Sequence, residues 1–317
     1  MRNLLLRKTL RYGTALFCIV SLNFFIPRWM PGDPVAAMLG DGSYLSREDA
    51  AALRTLYGLD KPVLAQFALY WKWILRLDFG VSIARHVPVF KEVVLALKRT
   101  LSFSFPAILT GILLGMALGA LAGWKSPTWW ESLTTAGSLL LYSLPSYGLS
   151  ILLLYVFCIK GRVFPLPGPG TGSGGVAGFI QRMALPFLAI TLAAGSRHFL
   201  LMRGSVYMER SKQYPVSAFS RGLTSCQVLS RHVVRNASLP LVTLAALDLG
   251  LLVGGMLYVE MVFSLHGMGT LLYESILSRD YPMIQGVSFV LMITVTMLNF
   301  LVDLAYSLLD PRIREVP

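Results

Sequence analysis

The residues that could carry chemistry in this sequence are few and scattered. The four histidines stand at positions 86, 198, 232 and 266, and no Ser/His/Asp set or pair of carboxylates shares a local element. Cys18, Cys158 and Cys226 are too far apart for a disulfide framework or a zinc site. The sequence therefore predicts neither a catalytic centre nor a metal site.

Three acidic residues, Asp248, Glu260 and Asp303, lie within or next to strongly apolar stretches. Because an ionised side chain at the centre of a bilayer costs roughly 3 kcal/mol or more, we expect all three to face the interior of a helix bundle. Two interpretations stay open. The acids either pair with an arginine or a backbone group for structural reasons, or they line the path of a solute.

The polar segment 203–238 predicts a helix, a glycine turn and a second helix. Gly222 can adopt the positive φ that a chain reversal needs. Leu239-Pro240 then begins the next apolar helix, since proline is tolerated in a first helical turn. A short basic helical hairpin next to a membrane is typical of an element that docks another protein.

The elements that position these residues follow from composition. Of the 317 residues, 55% are hydrophobic and only 14% are charged, which is too much apolar surface for one soluble core. A membrane-spanning helix needs about 20 mostly apolar residues, so the sequence predicts an all-α integral membrane protein with about six spans. These spans are 10–30, 100–124, 132–158, 184–202, 239–263 and 283–309.

The distribution of basic residues predicts the orientation. Lysines and arginines concentrate at both termini and in the even-numbered short loops, which the positive-inside rule assigns to the cytoplasm. This bias accounts for much of the net charge of +12, and no basic run is interleaved with aromatic residues, so we expect no nucleic-acid binding. The Gly/Pro-rich loop 160–182 lacks the Gly-Lys-Ser/Thr of a phosphate loop and predicts a surface connector.

The predicted organisation has three parts: the N-terminus with the first span (1–30), a folded extracytoplasmic segment (31–98) and a transmembrane domain (99–317). Within 31–98, helix signals occur around Ser46 and again from 62 to 77. In the second span, four glycines spaced by four residues predict a helix face without side chains for close packing. They are Gly111, Gly115, Gly119 and Gly123.

Ordered motifs along nearly the whole chain resemble the permease subunits of binding-protein-dependent ABC importers, in the dipeptide, oligopeptide and nickel branch. The coupling segment matches at Arg203, Ala218, Gly222 and Leu239-Pro240. The other matching motifs are Pro31-Gly32-Asp33-Pro34, Leu56-Tyr57-Gly58-Leu59-Asp60-Lys61-Pro62, Asp78-Phe79-Gly80-Val81-Ser82, Arg279-Asp280-Tyr281-Pro282, Asn299, Asp303 and Leu309-Asp310-Pro311-Arg312-Ile313-Arg314. The chain departs from the family pattern at Gln213, Pro215, Phe219-Ser220 and Leu265-His266.

This resemblance implies a subunit of the bacterial inner membrane that forms half of a translocation pathway. Its expected partners are a second, similar permease, two cytoplasmic ATPases that bind ATP and magnesium, and an extracytoplasmic solute-binding protein. The chain itself would bind no cofactor. At the ATPase contact, Ala218 would allow close approach, Arg221 and Arg231 would donate charge-assisted hydrogen bonds, and Leu223 would be an apolar anchor.

Short peptides are the first choice of solute and chelated nickel the second. Two other functions remain open. A proton-coupled secondary transporter would use Asp248, Glu260 and Asp303 as relays, and its uptake would survive ATP depletion but not an uncoupler. A non-transporting membrane scaffold would only present the hairpin to a cytoplasmic partner, and its deletion would leave solute uptake normal.

Overall fold

The computed structural model describes residues 2–29, 55, 60–168, 175–250 and 256–309. Within those ranges the regular structure is helical, apart from one isolated antiparallel bridge between Val81 and Pro88. The all-helical class expected from composition is therefore observed. In chain order the α-helices are α1 (Arg2–Trp29), α2 (Val63–Leu75), α3 (Val89–Lys125), α4 (Trp129–Ser143), α5 (Ser146–Leu154), α6 (Gly175–Glu209), α7 (Gln213–Ser220), α8 (Ser225–Val228), α9 (Val234–Ala237), α10 (Leu239–Gly250), α11 (Leu257–Val262), α12 (Met268–Leu277) and α13 (Tyr281–Leu309).

Two of these helices continue into π-helical turns, which follow α5 at Tyr155–Lys160 and α8 at Leu229–Val233. The chain divides into two compact units. One contains residues 1–99 and 266–296, and the other contains residues 100–265 and 297–317.

Three helices are long and apolar enough to cross a membrane: α3, α6 from Gly178 onward, and α13 as far as Leu301. A fourth candidate is α4 with α5 and its π-helical turn, a pair bent by 104°. These helices contain the predicted spans 100–124, 132–158, 184–202 and most of 283–309. The count refers only to the described residues.

The other two predicted spans also fall on helices, but these helices are not among the candidate membrane spans of the described residues. Span 10–30 falls on α1, which ends at Trp29. Helices α10 and α11 lie within span 239–263, and residues 251–255 are outside the described ranges. The number of six spans and the cytoplasmic location of both termini stay predictions.

Pro145 explains the break between α4 and α5. Pro145 stands before α5 with an extended ψ of 145° and separates α5 from α4, because a proline nitrogen cannot donate a helical hydrogen bond. Pro106 and Pro186, in contrast, lie inside α3 and α6, which continue past them. Proline is tolerated there because neighbouring groups in a membrane protein can satisfy the freed carbonyls.

The unit containing residues 1–99 and 266–296 has an aromatic core. Phe24 is fully buried, with its ring centroid 5.3 Å from that of Tyr70 and 5.2 Å from that of Phe67. Asn23 donates hydrogen bonds to the Tyr70 hydroxyl (3.0 Å) and to the Gln285 carbonyl (3.2 Å). These contacts join α1, α2 and α13 within this unit. The helix predicted near Ser46 lies outside the described residues, whereas α2 falls within the helix predicted at 62–77.

Asp280 fixes the start of α13 in the same unit. Its Oδ1 accepts the Met283 amide (3.2 Å), as an N-cap residue does, and its Oδ2 accepts from the Ser82 hydroxyl and the Ala84 amide. Asp280 is 2% exposed, and these donors compensate the burial of its carboxylate. Residues from two of the motifs quoted above, 78–82 and 279–282, are thus in contact.

Candidate functional site

The predicted hairpin is a helix, a glycine turn and a second helical segment. Helix α7 ends at Ser220, and Gly222 has φ of +82°, a conformation that favours glycine. Thr224 and Gln227 form a capping box that begins α8, because each side chain accepts from the other residue's backbone amide. The π-helical turn and α9 then lead to α10.

The hairpin packs on the membrane helices through one face. Ala218 and Val228 are fully buried there, together with Met202 of α6 and Leu241 of α10. The small Ala218 side chain therefore allows close packing within this chain and is not on the surface that another protein can touch. Leu223 is half-buried at the edge of the same cluster.

The opposite face of the hairpin is exposed. Arg221 and Arg231 both lie there, and the Arg221 Nε donates to the Ser217 carbonyl (3.2 Å). A Cβ added to Gly222 would meet nothing within 4 Å. Val216 of α7 (62% exposed) belongs to this face as well, and Phe219 (44% exposed) lies at its edge, with one side of its ring stacked on Trp124 of α3 at 6.3 Å between centroids. The sequence interpretation did not assign either residue a contact. We define the hairpin face as Val216, Phe219, Arg221, Gly222 and Arg231.

Arg210 attaches the base of the hairpin to the end of α3. Its Nη1 donates to the carbonyls of Gly123 (3.3 Å), Trp124 (2.9 Å) and Ser126 (2.6 Å), and its guanidinium lies 4.8 Å from the Tyr207 ring centroid. The last carbonyls of a helix lack intrahelical partners and carry partial negative charge, so an arginine is well suited to them. Nothing in the sequence signals this contact, which joins residues more than 80 positions apart.

Arg203 forms an ion pair with Glu131 of α4. The Arg203 Nε donates to Glu131 Oε1 (2.7 Å), and its Nη2 contacts the same oxygen. Glu131 is 4% exposed, and its amide is also bonded to the Thr128 hydroxyl that caps α4. The sequence identified Arg203 but not its partner, since Glu131 looks like an ordinary acid at a helix N-terminus.

Tyr214 holds the start of α7 against the end of α6. Its hydroxyl donates to Glu209 Oε2 (2.8 Å), and Lys212 Nζ donates to Glu209 Oε1 (2.6 Å). Burial raises the pKa of the Tyr214 phenol, and the Glu209 carboxylate adds to that rise. Tyr214 therefore stays a neutral donor throughout the physiological pH range. Gln213, which replaces the acid usual in the resembled family, is exposed beside it.

The four spaced glycines of α3 face the backbone of α6. A Cβ on Gly111 would lie 2.7 Å from the Thr191 carbonyl oxygen, and one on Gly119 would lie 2.5 Å from the Phe199 oxygen. Gly115 and Gly123 face the carbonyls of Gly195 and Arg203 even more closely. Since real Cβ atoms do not approach backbone atoms this closely, the contact needs glycine at every one of these positions.

Two of the three membrane acids are described and both are buried. Asp248 of α10 is 3% exposed, and its Oδ1 lies 2.7 Å from Arg197 Nη2. Glu260 of α11 is fully buried, and its Oε1 accepts from the Thr100 hydroxyl (2.6 Å). Asp303 lies in α13, but its side chain is outside the described residues. Sequence reasoning did not single out Arg197, although an arginine inside span 184–202 is itself the signal.

These features define an integral membrane protein whose polar helical hairpin packs on its long apolar helices. The model of the family described as "Binding-protein-dependent transport system inner membrane component" matches residues 104–315, which is more than half of the chain. The chain therefore belongs to this family and is an inner-membrane permease component of an ABC importer.

Two relatives show how far the similarity extends. A probable peptide ABC transporter permease of Sinorhizobium fredii is 31% identical over 291 residues, covering 92% of both chains. The glutathione transport system permease GsiC of Salmonella typhimurium is 31% identical over 315 residues, covering 99% of both chains. The similarity thus includes the N-terminal residues that precede the family match.

Proposed function

We propose that this chain forms half of the translocation pathway of an ATP-driven importer of short peptides. Its partners in the proposal are a second permease of similar sequence, two cytoplasmic ATPase subunits that bind ATP and magnesium, and an extracytoplasmic solute-binding protein. The observation that carries the proposal is the hairpin, which is buried on its membrane side and exposes a mixed apolar and basic face.

The hairpin face has the composition of a protein contact. Val216 and Phe219 supply apolar area next to two arginines, and arginine and aromatic residues are enriched where interfaces bind most strongly. Arg210 fixes the hairpin to α3 and Ala218 packs it on α6, which Arg203 in turn joins to α4. A force applied to the hairpin face therefore reaches the membrane helices. An ATPase that contacts the face differently with and without ATP would shift the permease between two conformations.

Short peptides are supported by the names of the relatives, which refer to peptide and glutathione transport. Glutathione is itself a tripeptide derivative. Chelated nickel stays the second choice of solute. Identifying the ligand that co-purifies with the solute-binding protein encoded beside this gene would test the choice directly, because that partner does most of the selecting in the resembled family.

Support for the membrane acids as residues that line the solute path is weaker than support for the hairpin as a docking element. Glu260 is enclosed and bonded to Thr100, which suits a structural role, whereas Asp248 pairs with an arginine that is partly exposed. We therefore retain Asp248 as a residue beside the path, and Asp303 stays a prediction. A proton-coupled carrier would need these acids as relays, and uptake that survives ATP depletion would favour that function instead.

The docking role is tested by Gly222→Asp. The added side chain meets open space within this chain, so we expect the variant to insert normally but to lose its ATPase subunits. Gly80→Asp is the matched control, because Gly80 also has a positive φ (+72°) and an empty Cβ position but lies in the other unit. Co-purification of the ATPases from solubilised membranes is the measurement.

The result expected is loss of at least about 90% of the ATPase from G222D and little loss from G80D, since one unfavourable contact at the centre of an interface can cost 2 kcal/mol or more. Equal ATPase recovery from G222D and wild type would reject the docking assignment. Equal losses in both variants would show that backbone strain, not the interface, is responsible.

A further inference from the structure

Arg197 is a charged residue in an apolar helix, and its side chain is not covered by its own chain. It lies within the candidate span Gly178–Glu209, about 5 Å along the axis from the span's midpoint at 1.5 Å per residue. Its side chain is 37% exposed. Because a guanidinium facing lipid at this depth is strongly unfavourable, the exposed part of Arg197 must meet water, a solute or another protein.

The position of Arg197 on α6 excludes the side of this helix that packs on α3. Gly195 and Phe199 of α6 contact the glycine face of α3, and Arg197 is two residues from each. Two residues correspond to a rotation of about 200°, so Arg197 projects away from α3. The side chain therefore points away from α3 and lies beside Asp248 of α10.

Only one nitrogen of the Arg197 guanidinium has a partner among the described residues. Arg197 Nη2 lies 2.7 Å from Asp248 Oδ1, and within the described part of the chain neither its Nε nor its Nη1 has an assigned partner. Arginine carries five N–H donors in a planar fork that matches a carboxylate. One carboxylate from the protein thus orients the group and leaves donors for a second one.

A buried polar side chain, His198, lies next to the pair of Arg197 and Asp248. His198 and Asp248 are almost completely buried, and His198 Nδ1 lies 3.0 Å from the Ala194 carbonyl and 3.6 Å from Asp248 Oδ2. Its Nε2 has no hydrogen-bond partner among the described residues, and neither Asp248 oxygen receives a well-aligned hydrogen bond. Asp248 Oδ1 is nevertheless paired with Arg197, so His198 Nε2 carries the inference: buried polar atoms are normally satisfied, and this one indicates a water molecule or a polar group of the solute beside the pair.

We propose that Arg197, oriented by Asp248, binds the carboxylate of the solute as it passes through the membrane. This inference rests on the proposed function, and it names the substrate class as solutes with a free carboxylate. The partial neutralisation of Arg197 by Asp248 weakens the attraction, which suits a path whose contacts must release what they bind. Asp248 is a positioning residue in this scheme, and Arg197 makes the contact.

The test compares uptake of trialanine with uptake of trialanine amide, which lacks the carboxylate, by the complete importer in membrane vesicles. In wild type we expect trialanine to be favoured. In Arg197→Gln we expect the ratio of the two rates to fall by about tenfold, the effect of losing a charge-assisted hydrogen bond. Arg197→Lys should keep most of the preference. Arg182→Gln, an exposed arginine on the same helix that bonds to its own helix, should leave the ratio unchanged.

An unchanged ratio in R197Q would overturn the inference while leaving the importer function intact. Absence of trialanine uptake in wild type would instead reject the proposed peptide function, and the inference with it. If R197Q has no uptake at all, a second measurement tests the inference: the reaction of a charged methanethiosulfonate with Arg197→Cys in a C18S/C158S/C226S background. Modification by a charged methanethiosulfonate supports a water-filled path at this position, and lack of modification contradicts it.

Discussion

At the scale of single residues, the pair Glu131 and Arg203 connects α4 to the end of α6 where the hairpin begins. We expect Glu131→Gln to lower the free energy of unfolding by about 1.5–3 kcal/mol, since hydrogen bonds to charged groups are worth that much and Glu131 is buried. Thermal unfolding of the detergent-solubilised protein, followed by the reaction of a thiol-reactive dye with newly exposed cysteines or by light scattering, would show this as a Tm several degrees lower.

Glu92→Gln is the matched control for that change. Glu92 pairs with Arg85 at 3.4 Å, but both side chains are substantially exposed, and such pairs contribute about 0–1 kcal/mol. A Tm shift in E92Q as large as that in E131Q would contradict the argument, because it would mean that burial does not determine the strength of these pairs.

At the scale of elements, the contact between α3 and α6 depends on the absence of side chains. We expect Gly115→Ala to destabilise the protein by about 1–3 kcal/mol, because the new Cβ would collide with the Gly195 backbone and with His198. Gly137→Ala in α4 makes the same chemical change where nothing lies within 4 Å of the new atom. We expect Gly115→Ala to have a lower Tm and a smaller amount inserted in the membrane than Gly137→Ala. Equal values for the two variants would reject the close-packing argument.

The sequence predicts the elements better than the contacts between them. A spacing of four residues locates the glycines on one helix face, and Gly222 indicates the hairpin turn, since both depend on neighbours in the chain. The partners of Arg203 and Arg210 are 72 and more than 80 residues away, and only the packed fold brings them together.

The structure gives Ala218 a role different from the one that the resemblance implies. Ala218 stands where the resemblance places a coupling residue, yet its side chain is enclosed by Val228, Met202 and Leu241. The exposed apolar residues Val216 and Phe219 lie beside it on the same helix. A short helix with apolar residues on several faces does not reveal from sequence which face packs inward, because that choice depends on α6 and α10.

At the scale of the whole molecule, the orientation in the membrane can be tested with a natural cysteine. Cys226 is exposed on the hairpin, whereas Cys158 is buried. If the hairpin is cytoplasmic, as the positive-inside rule predicts, a membrane-impermeant maleimide should label Cys226 in inverted vesicles and not in spheroplasts. Cys226→Ser should abolish that labelling, which would exclude a contribution from Cys18.

A reciprocal variant makes the orientation test complete. Val163 is 66% exposed and lies in the loop predicted to be extracytoplasmic, so Val163→Cys in the C226S background should be labelled in spheroplasts and protected in inverted vesicles. The reversed pattern for both positions would invert the topology and move the hairpin to the side where no ATP is available. In that case the hairpin could not couple ATP hydrolysis to transport, even though the family membership of the chain would stand.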